Sequence, residues 1–359
     1  MEHAAFRHTK KRTSKRIANE FEALGAYSNA FTTKEITCFY VRAIKEHFSK
    51  TFEILADITL NTIFIEDEIE KEKLIIIEEI KSYEDDPEEY ICDLADTLVF
   101  EGTTLAAPIV GTQTSVNNIT FTDLKEFHDN YYATNNITIS VAGNIPHNVI
   151  VALARKFFNS STTNKQIINT CCCYNKKKEL TVQKQIQQAH IVIGKLTKGI
   201  RSDERYPLAV LNLMFGDGMS SRLYQNIREK HGLSYSIYSS LQSYIDCGSI
   251  YIYAATEKNK DQKAIELIFE EMNKFITSKK PTEKELKRAK EQLKTATIIE
   301  LESMSSRMQN LIKQEISLNK METISEIIDN IEKVSLEDIE EISKEYFTTN
   351  DWSICTLIP

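Results

Sequence analysis

No stretch of the 359 residues reaches the roughly 18 consecutive apolar positions that a membrane-spanning helix needs, and no apolar signal segment opens the chain. Positive charge is in short supply as well. Lys and Arg number 44 against 52 Asp and Glu, a net charge of −8 that argues against general nucleic-acid binding. Paired C-x-x-C spacing is missing among the seven cysteines, three of which are adjacent (Cys171, Cys172, Cys173). That pattern disfavours a cysteine zinc cluster, and an odd count disfavours a disulfide framework. The expectation is a soluble protein of a reducing, cytoplasmic compartment, with no membrane span and no nucleic-acid partner. Cys38, Cys92, Cys247 and Cys355 read as small apolar residues in strands, helices or their edges.

What the sequence does have is length and enough apolar residues, 42% hydrophobic, to bury the cores of two domains. Six of the ten residues from Arg7 to Arg16 are basic. Thr13 is placed to cap a helix in which Ile17, Phe21 and Leu24 recur at helical spacing before Gly25, so the basic residues read as the solvated face of that helix.

An internal repeat organises the chain. Residues 119–140, ITFTDLKEFHDNYYATNNITIS, align without a gap with residues 334–355, VSLEDIEEISKEYFTTNDWSIC. Each has a hydroxyl N-cap (Thr120, Ser335) with an Asp three residues on (Asp123, Asp338), then an amphipathic helix, a Thr-Asn turn and a strand. Gly25 with the AYSNAFT after it likewise matches Gly232 with LSYSIYS, each glycine following a basic amphipathic helix. The chain therefore reads as an α+β protein of two related α/β halves, each a mainly antiparallel sheet covered by helices. The expected boundaries are 1–165, a linker at 166–180, and 181–359. The second half starts with a long strand pattern over 179–197 that has no counterpart in the first. On that arithmetic the first half lacks its opening strands, and Met1 falls in mid-fold.

Periodicity places strands at 35–44, 137–143, 182–195, 234–242, 248–256 and 352–357. Helices are expected near 45–61, 67–84, 87–99, 121–131, 146–158, 203–215, 219–231, 260–278, 282–302 and 335–346. Alternation of apolar and polar residues along neighbouring strands predicts one covered sheet face per half.

The strongest chemical hint after the N-terminus is EDEIEKEKLIIIEEIKSYEDDPEEY at 66–90. Glu72 and Glu79 stand seven apart, two helical turns, and share one face with Ile76 between them. A Glu-rich helix is ordinarily a solvated stripe. Here the run Leu74-Ile75-Ile76-Ile77 makes the helix apolar nearly all round, so a neighbouring carboxylate is expected to be partly buried and in need of a cation, a donor or a metal.

At these residues the sequence resembles the inverted zinc peptidases, the M16 family of pitrilysin, insulinase and the mitochondrial processing peptidase. Their signature is H-x-x-E-H on a helix, followed by a glutamate ligand on a second helix. Met1-Glu2-His3 matches the last three positions, with about 75 residues between His3 and Glu79. The likeness continues through residues 23–40, 72–89 and 216–240, nearly the whole chain. It implies a zinc endopeptidase with one Zn²⁺ per chain, acting on peptide or unfolded polypeptide substrates. Glu2 would be the general base, His3 and Glu79 zinc ligands, and Glu72 the carboxylate that orients a ligating histidine. Asn29, Ala30 and Phe31 match the strand that pairs with extended substrate. Arg228 and Tyr235 match the pair that holds the scissile carbonyl.

The first histidine of the signature would stand two positions ahead of Met1. His8 does not replace it, because five residues on from His3 it points away round a helix. Two readings stand side by side. One is a shortened record of a working peptidase. The other is an inactive homologue that serves as a structural or partner subunit in a homo- or hetero-dimer.

Overall fold

The structure, a computed structural model, describes residues 1–159, 177–348 and 351–359. Cys171 to Cys173, most of the expected linker and the second Thr-Asn turn lie outside the described residues. The chain begins with α1 (Glu2–Ala5), α2 (Ser14–Ala23), β1 (Tyr27–Thr32), β2 (Thr37–Arg42), a 3₁₀ turn at Lys45–His47 and α3 (Phe48–Leu60). There follow α4 (Glu66–Asp85), α5 (Pro87–Val99), α6 (Gln113–Asn118), α7 (Phe121–Tyr131) and α8 (His147–Phe157). Next come β3 (Glu179–Gln183), β4 (Gln188–Lys198), α9 (Arg205–Phe215), a π-helical segment at Tyr224–Lys230, β5 (Ser234–Ser243) and β6 (Cys247–Glu257). The last elements are α10 (Asp261–Ile276), α11 (Glu283–Glu300), α12 (Met304–Leu318), α13 (Ile324–Lys333), α14 (Leu336–Phe347) and β7 (Ser353–Ile358). No described helix is long and apolar enough to cross a membrane.

Helix starts follow their caps. Thr13 accepts from the Arg16 N–H, Asp86 accepts from Glu88 and Glu89 with Pro87 in the first turn, and Thr120 and Ser335 each close a capping box. The strand pattern over 179–197 splits into β3 and β4 instead of forming one strand, and the expected helix at 219–231 is π-helical from Tyr224 to Lys230.

The chain divides into two compact units. The first comprises the described residues of Met1–Ser82, Ile109–Ile168 and Ser303–Ile312, and the second those of Tyr83–Pro108, Asn169–Glu302 and Lys313–Pro359. In the first, β1 and β2 pair antiparallel from Tyr27 opposite Arg42 to Thr32 opposite Thr37. Ile17 and Phe21 of α2 bury against Ile54 and Ile58 of α3. Next to this small core sits Arg12, which is only 4% exposed and is not the solvated residue expected from its basic run. Its guanidinium donates to Asp57 at 2.6 Å and to Glu20 and Glu53 at 2.9 Å, and Thr9 donates to the same Asp57 oxygen. These partners raise the guanidinium's pKa, although burial, the largest single influence, acts the other way. The expected strand at 137–143 is absent. A strand needs a neighbour for its backbone groups, and among the described residues none pairs with this segment.

In the second unit five strands run in the order β3-β7-β4-β6-β5, all antiparallel except β3 with β7. Both faces are covered, not one. Ile191, Ile193, Ile250 and Ile252 join a core with α9, α10 and α14, while Val192, Tyr251 and Tyr253 join another with Ile91, Ala95 and Val99 of α5. The isoleucine-tyrosine alternation of β6 looks half-polar in sequence. In place, the Tyr251 hydroxyl of β6 donates to Asp96 and the Tyr238 hydroxyl of the neighbouring β5 to Glu88, each at 2.6 Å, so these polar tips meet carboxylates on α5 instead of water. Burial first, and then the facing carboxylates, raise the pKa of both phenols.

Candidate metal centre

Four of the residues singled out from sequence converge in the first unit. His3, on the single turn of α1, points one ring nitrogen at each of two carboxylates of α4. Its Nδ1 lies 3.2 Å from Glu72 Oε2 and its Nε2 lies 3.5 Å from Glu79 Oε2. The two-turn spacing of Glu72 and Glu79 is what lets one imidazole address both. Glu72 is 7% exposed, whereas the Glu79 side chain is 37% exposed. Leu74 and Ile75 of the apolar run face outward at 67% and 47% exposure. The His3 ring and the Arg7 guanidinium, ion-paired to Oε1, both contact the Glu72 carboxylate.

Glu2, one residue before His3, accepts a hydrogen bond from the Thr32 hydroxyl at 2.5 Å. A cavity of about 270 Å³ opens between Glu2, His3, Phe6, Arg7, Asn29, Ala30 and Glu72, so α1 with the residues just after it, the first half of α4 and the middle of β1 share one space. Ala30 is buried opposite Phe39, Asn29 bonds locally to the Tyr27 hydroxyl and the Ala30 N–H, and the Phe31 ring packs near Tyr40. Strand β1 pairs with β2 on one side and with no other strand among the described residues, leaving an edge beside the cavity. Arg7 and Thr32 were not picked out from sequence. The His3-to-Arg7 spacing of four was the available signal for one of them, and the partner of Thr32 lies too far along the chain to read.

The donors can be tested against zinc. Tetrahedral zinc with bonds near 2.0–2.2 Å holds neighbouring donor atoms about 3.3–3.5 Å apart. The His3 Nε2 to Glu79 Oε2 separation of 3.5 Å fits two such positions. Glu72 on the other imidazole nitrogen supplies the orienting contact that ligating histidines usually have. A third protein donor does not follow: among the described residues, no group of three or more His, Cys, Asp or Glu is placed to hold a metal. His8 sits beyond the end of α1, in a bridge opposite Thr13, so its position is not set by a continuing helix.

Arg228 and Tyr235 belong to the second unit, where they touch each other. The Arg228 guanidinium lies 5.3 Å from the centre of the Tyr235 ring and 4.7 Å from that of Tyr224. Tyr235 is 77% exposed.

Residues 1–113 match the family profile described as Insulinase (Peptidase family M16), and residues 118–293 match that of the Peptidase M16 inactive domain. An uncharacterized zinc protease of Bacillus subtilis, YmxG, is 35% identical over 361 residues, covering 100% of this chain and 87% of that protein. Another from Rickettsia felis is 33% identical, covering 97% and 84%. A third from Mycobacterium leprae is 32% identical, covering 96% and 78%. Among solved structures, a protease from Helicobacter pylori superposes with a TM-score of 0.88 at 21% identity, covering 100% of this chain and 88% of that one. A peptidase M16 inactive domain from Pseudomonas fluorescens superposes at 0.90 with 18% identity, covering 100% and 87%; at these identities the likeness is one of fold.

Proposed function

The chain belongs to peptidase family M16, and from that premise we propose that it is a zinc-dependent endopeptidase acting on extended peptides or unfolded polypeptides. The observation that carries this reading is His3, with Glu72 on one nitrogen and Glu79 at zinc-sharing distance from the other, beside Glu2. What zinc supplies when bound is Lewis acidity towards a water and a peptide carbonyl. His3 and Glu79 would hold it, and Glu72 would fix the ring of His3. Glu2 takes the proton of the attacking water, its carboxylate kept in position by Thr32. An extended peptide adds to the β1 edge at Asn29, Ala30 and Phe31. Arg228 and Tyr235 would be further substrate-binding residues. The proposed setting is a reducing cytoplasm, in keeping with Cys38, Cys92 and Cys355 as free thiols.

Glu2→Gln tests the base directly. With zinc supplied, hydrolysis of a fluorogenic peptide falls by at least about 100-fold while metal content is unchanged. Retained hydrolysis would remove Glu2 from its role. A second reading, a non-catalytic partner subunit, is favoured by the count of two zinc donors among the described residues. Adding His-Xaa ahead of Met1 sets an imidazole one turn before His3. Hydrolysis gained in that extended chain supports the enzyme. If zinc binds tightly there and no peptide is cleaved, the partner reading stands.

A further inference from the structure

The segment Tyr224–Lys230 is π-helical, a rare form that recurs at functional sites. Its exit is widened too. The Gly232 N–H donates to the Arg228 carbonyl and the Leu233 N–H to the Ile227 carbonyl, each bond one residue longer than in the usual glycine-terminated helix end. Leu223 and Ile227 are fully buried, and Asn226 donates at 2.8 Å to the buried Glu271, so the segment is pinned on its inner side. On its other side Arg228 is half-buried with its charge unmatched: among the described residues no ion pair or side-chain hydrogen bond holds the guanidinium. Its neighbours are two aromatic rings, Tyr224 at 4.7 Å and Tyr235 at 5.3 Å.

A guanidinium that lies over two aromatic rings and in no ion pair keeps its N–H donors available for acceptor oxygens. The two rings are unequal. Tyr235 is 77% exposed, whereas Tyr224 is half-buried on the pinned segment, one helical step before Arg228. Of the two rings, that of Tyr224 is the one held by the buried segment. We propose that Tyr224 is a positioning residue, fixing the plane of the Arg228 fork so that its donors meet acceptor oxygens of an extended polypeptide. The inference rests on the reading that Arg228 contacts substrate.

The test uses the full chain with fluorescein-labelled, carboxymethylated α-lactalbumin, an unfolded polypeptide, followed by anisotropy. Arg228→Ala weakens its binding. Tyr224→Leu, which keeps bulk and removes the ring, weakens it by about three- to fivefold, and Tyr224→Phe restores it to within about twofold. In ¹⁵N-detected NMR the Arg228 Nε–H signal shows the upfield shift of a stacked ring in the wild type and Tyr224→Phe, and loses it in Tyr224→Leu. A purely structural role for Tyr224 would lower the melting temperature without this split between Phe and Leu. If Arg228→Ala weakens binding and Tyr224→Leu does not, the positioning role is overturned while the substrate contact survives. If Arg228→Ala leaves binding unchanged, both fall.

Discussion

The repeat halves start the same way and finish differently. Thr120 and Asp123 close a capping box ahead of α7, and Ser335 and Asp338 close one ahead of α14; the helices run for 11 and 12 residues. After α14 the chain becomes β7, hydrogen-bonded between β3 and β4, whereas after α7 the matching residues 137–143 form no strand. A capped amphipathic helix is encoded within a dozen residues. A strand is a property of its neighbours, and the same local pattern is silent where they are missing. The units are also stabilised differently. The second has two apolar cores on either side of a five-stranded sheet, while the first pairs a small core with the buried Arg12 cluster.

That contrast can be broken or sharpened by mutation. The largest effect is expected at Arg12→Met, which leaves Asp57 buried beside two further carboxylates. It should destabilise by about 3–5 kcal/mol, with faster amide exchange in α2 and α3, and Asp57→Leu added to it should recover much of the loss. Chemical denaturation checks both. If Arg12→Met alone costs less than about 1 kcal/mol, the first unit does not depend on its ionic cluster.

A smaller effect compares the two glycine exits. Gly25 and Gly232 have φ of +59° and +58°, and open space surrounds the Cβ either would carry. The Gly25 exit has the usual spacing, with Ala26 N–H to Phe21 O and Gly25 N–H to Glu22 O, while that of Gly232 is one residue wider. Because both lie in the left-handed region without a clash, alanine at either should cost a similar 1–2 kcal/mol or so by thermal melting. A markedly larger loss at Gly232 would show that the π turn adds strain of its own.

The smallest effect is a pH dependence. His190 in β4 is buried and bonded to the Tyr253 hydroxyl. Burial lowers its pKa below the usual value, with the charges of Glu88 and Asp86 opposing the shift. The unfolded chain then binds the proton more readily. Stability is unaffected by this group above the unfolded value near 6.5, and falls as pH drops from there towards the lower folded pKa. His190→Gln should flatten the urea midpoint over that window; an unchanged slope would assign the acid sensitivity elsewhere.

Much of the candidate site's geometry was legible because helical spacing is local: Glu2 beside His3, and Glu72 two turns from Glu79, need no knowledge of the fold. Legible too were the limits of α5 and α7, set by Asp86-Pro87 and by Thr120. Thr323 and Glu326 offered the same signal for α13, which was not read. What stayed hidden depends on distant chain. The burial of Arg12 needs carboxylates from α2 and α3, the contact of Thr32 with Glu2 joins β1 to α1, and the second covered face of the sheet requires α5 to put Glu88 and Asp96 over tyrosines.

The central claim is that His3 and Glu79 hold one divalent ion between them. Competition titration with Zn²⁺ on the wild-type chain, His3→Ala, Glu79→Gln and the double variant tests it most directly. The account predicts one weak site, lost to about the same degree in each single variant and no further in the double, since either change removes a donor from the same ion. Zinc affinity unchanged by both single variants, or losses that add, would contradict it.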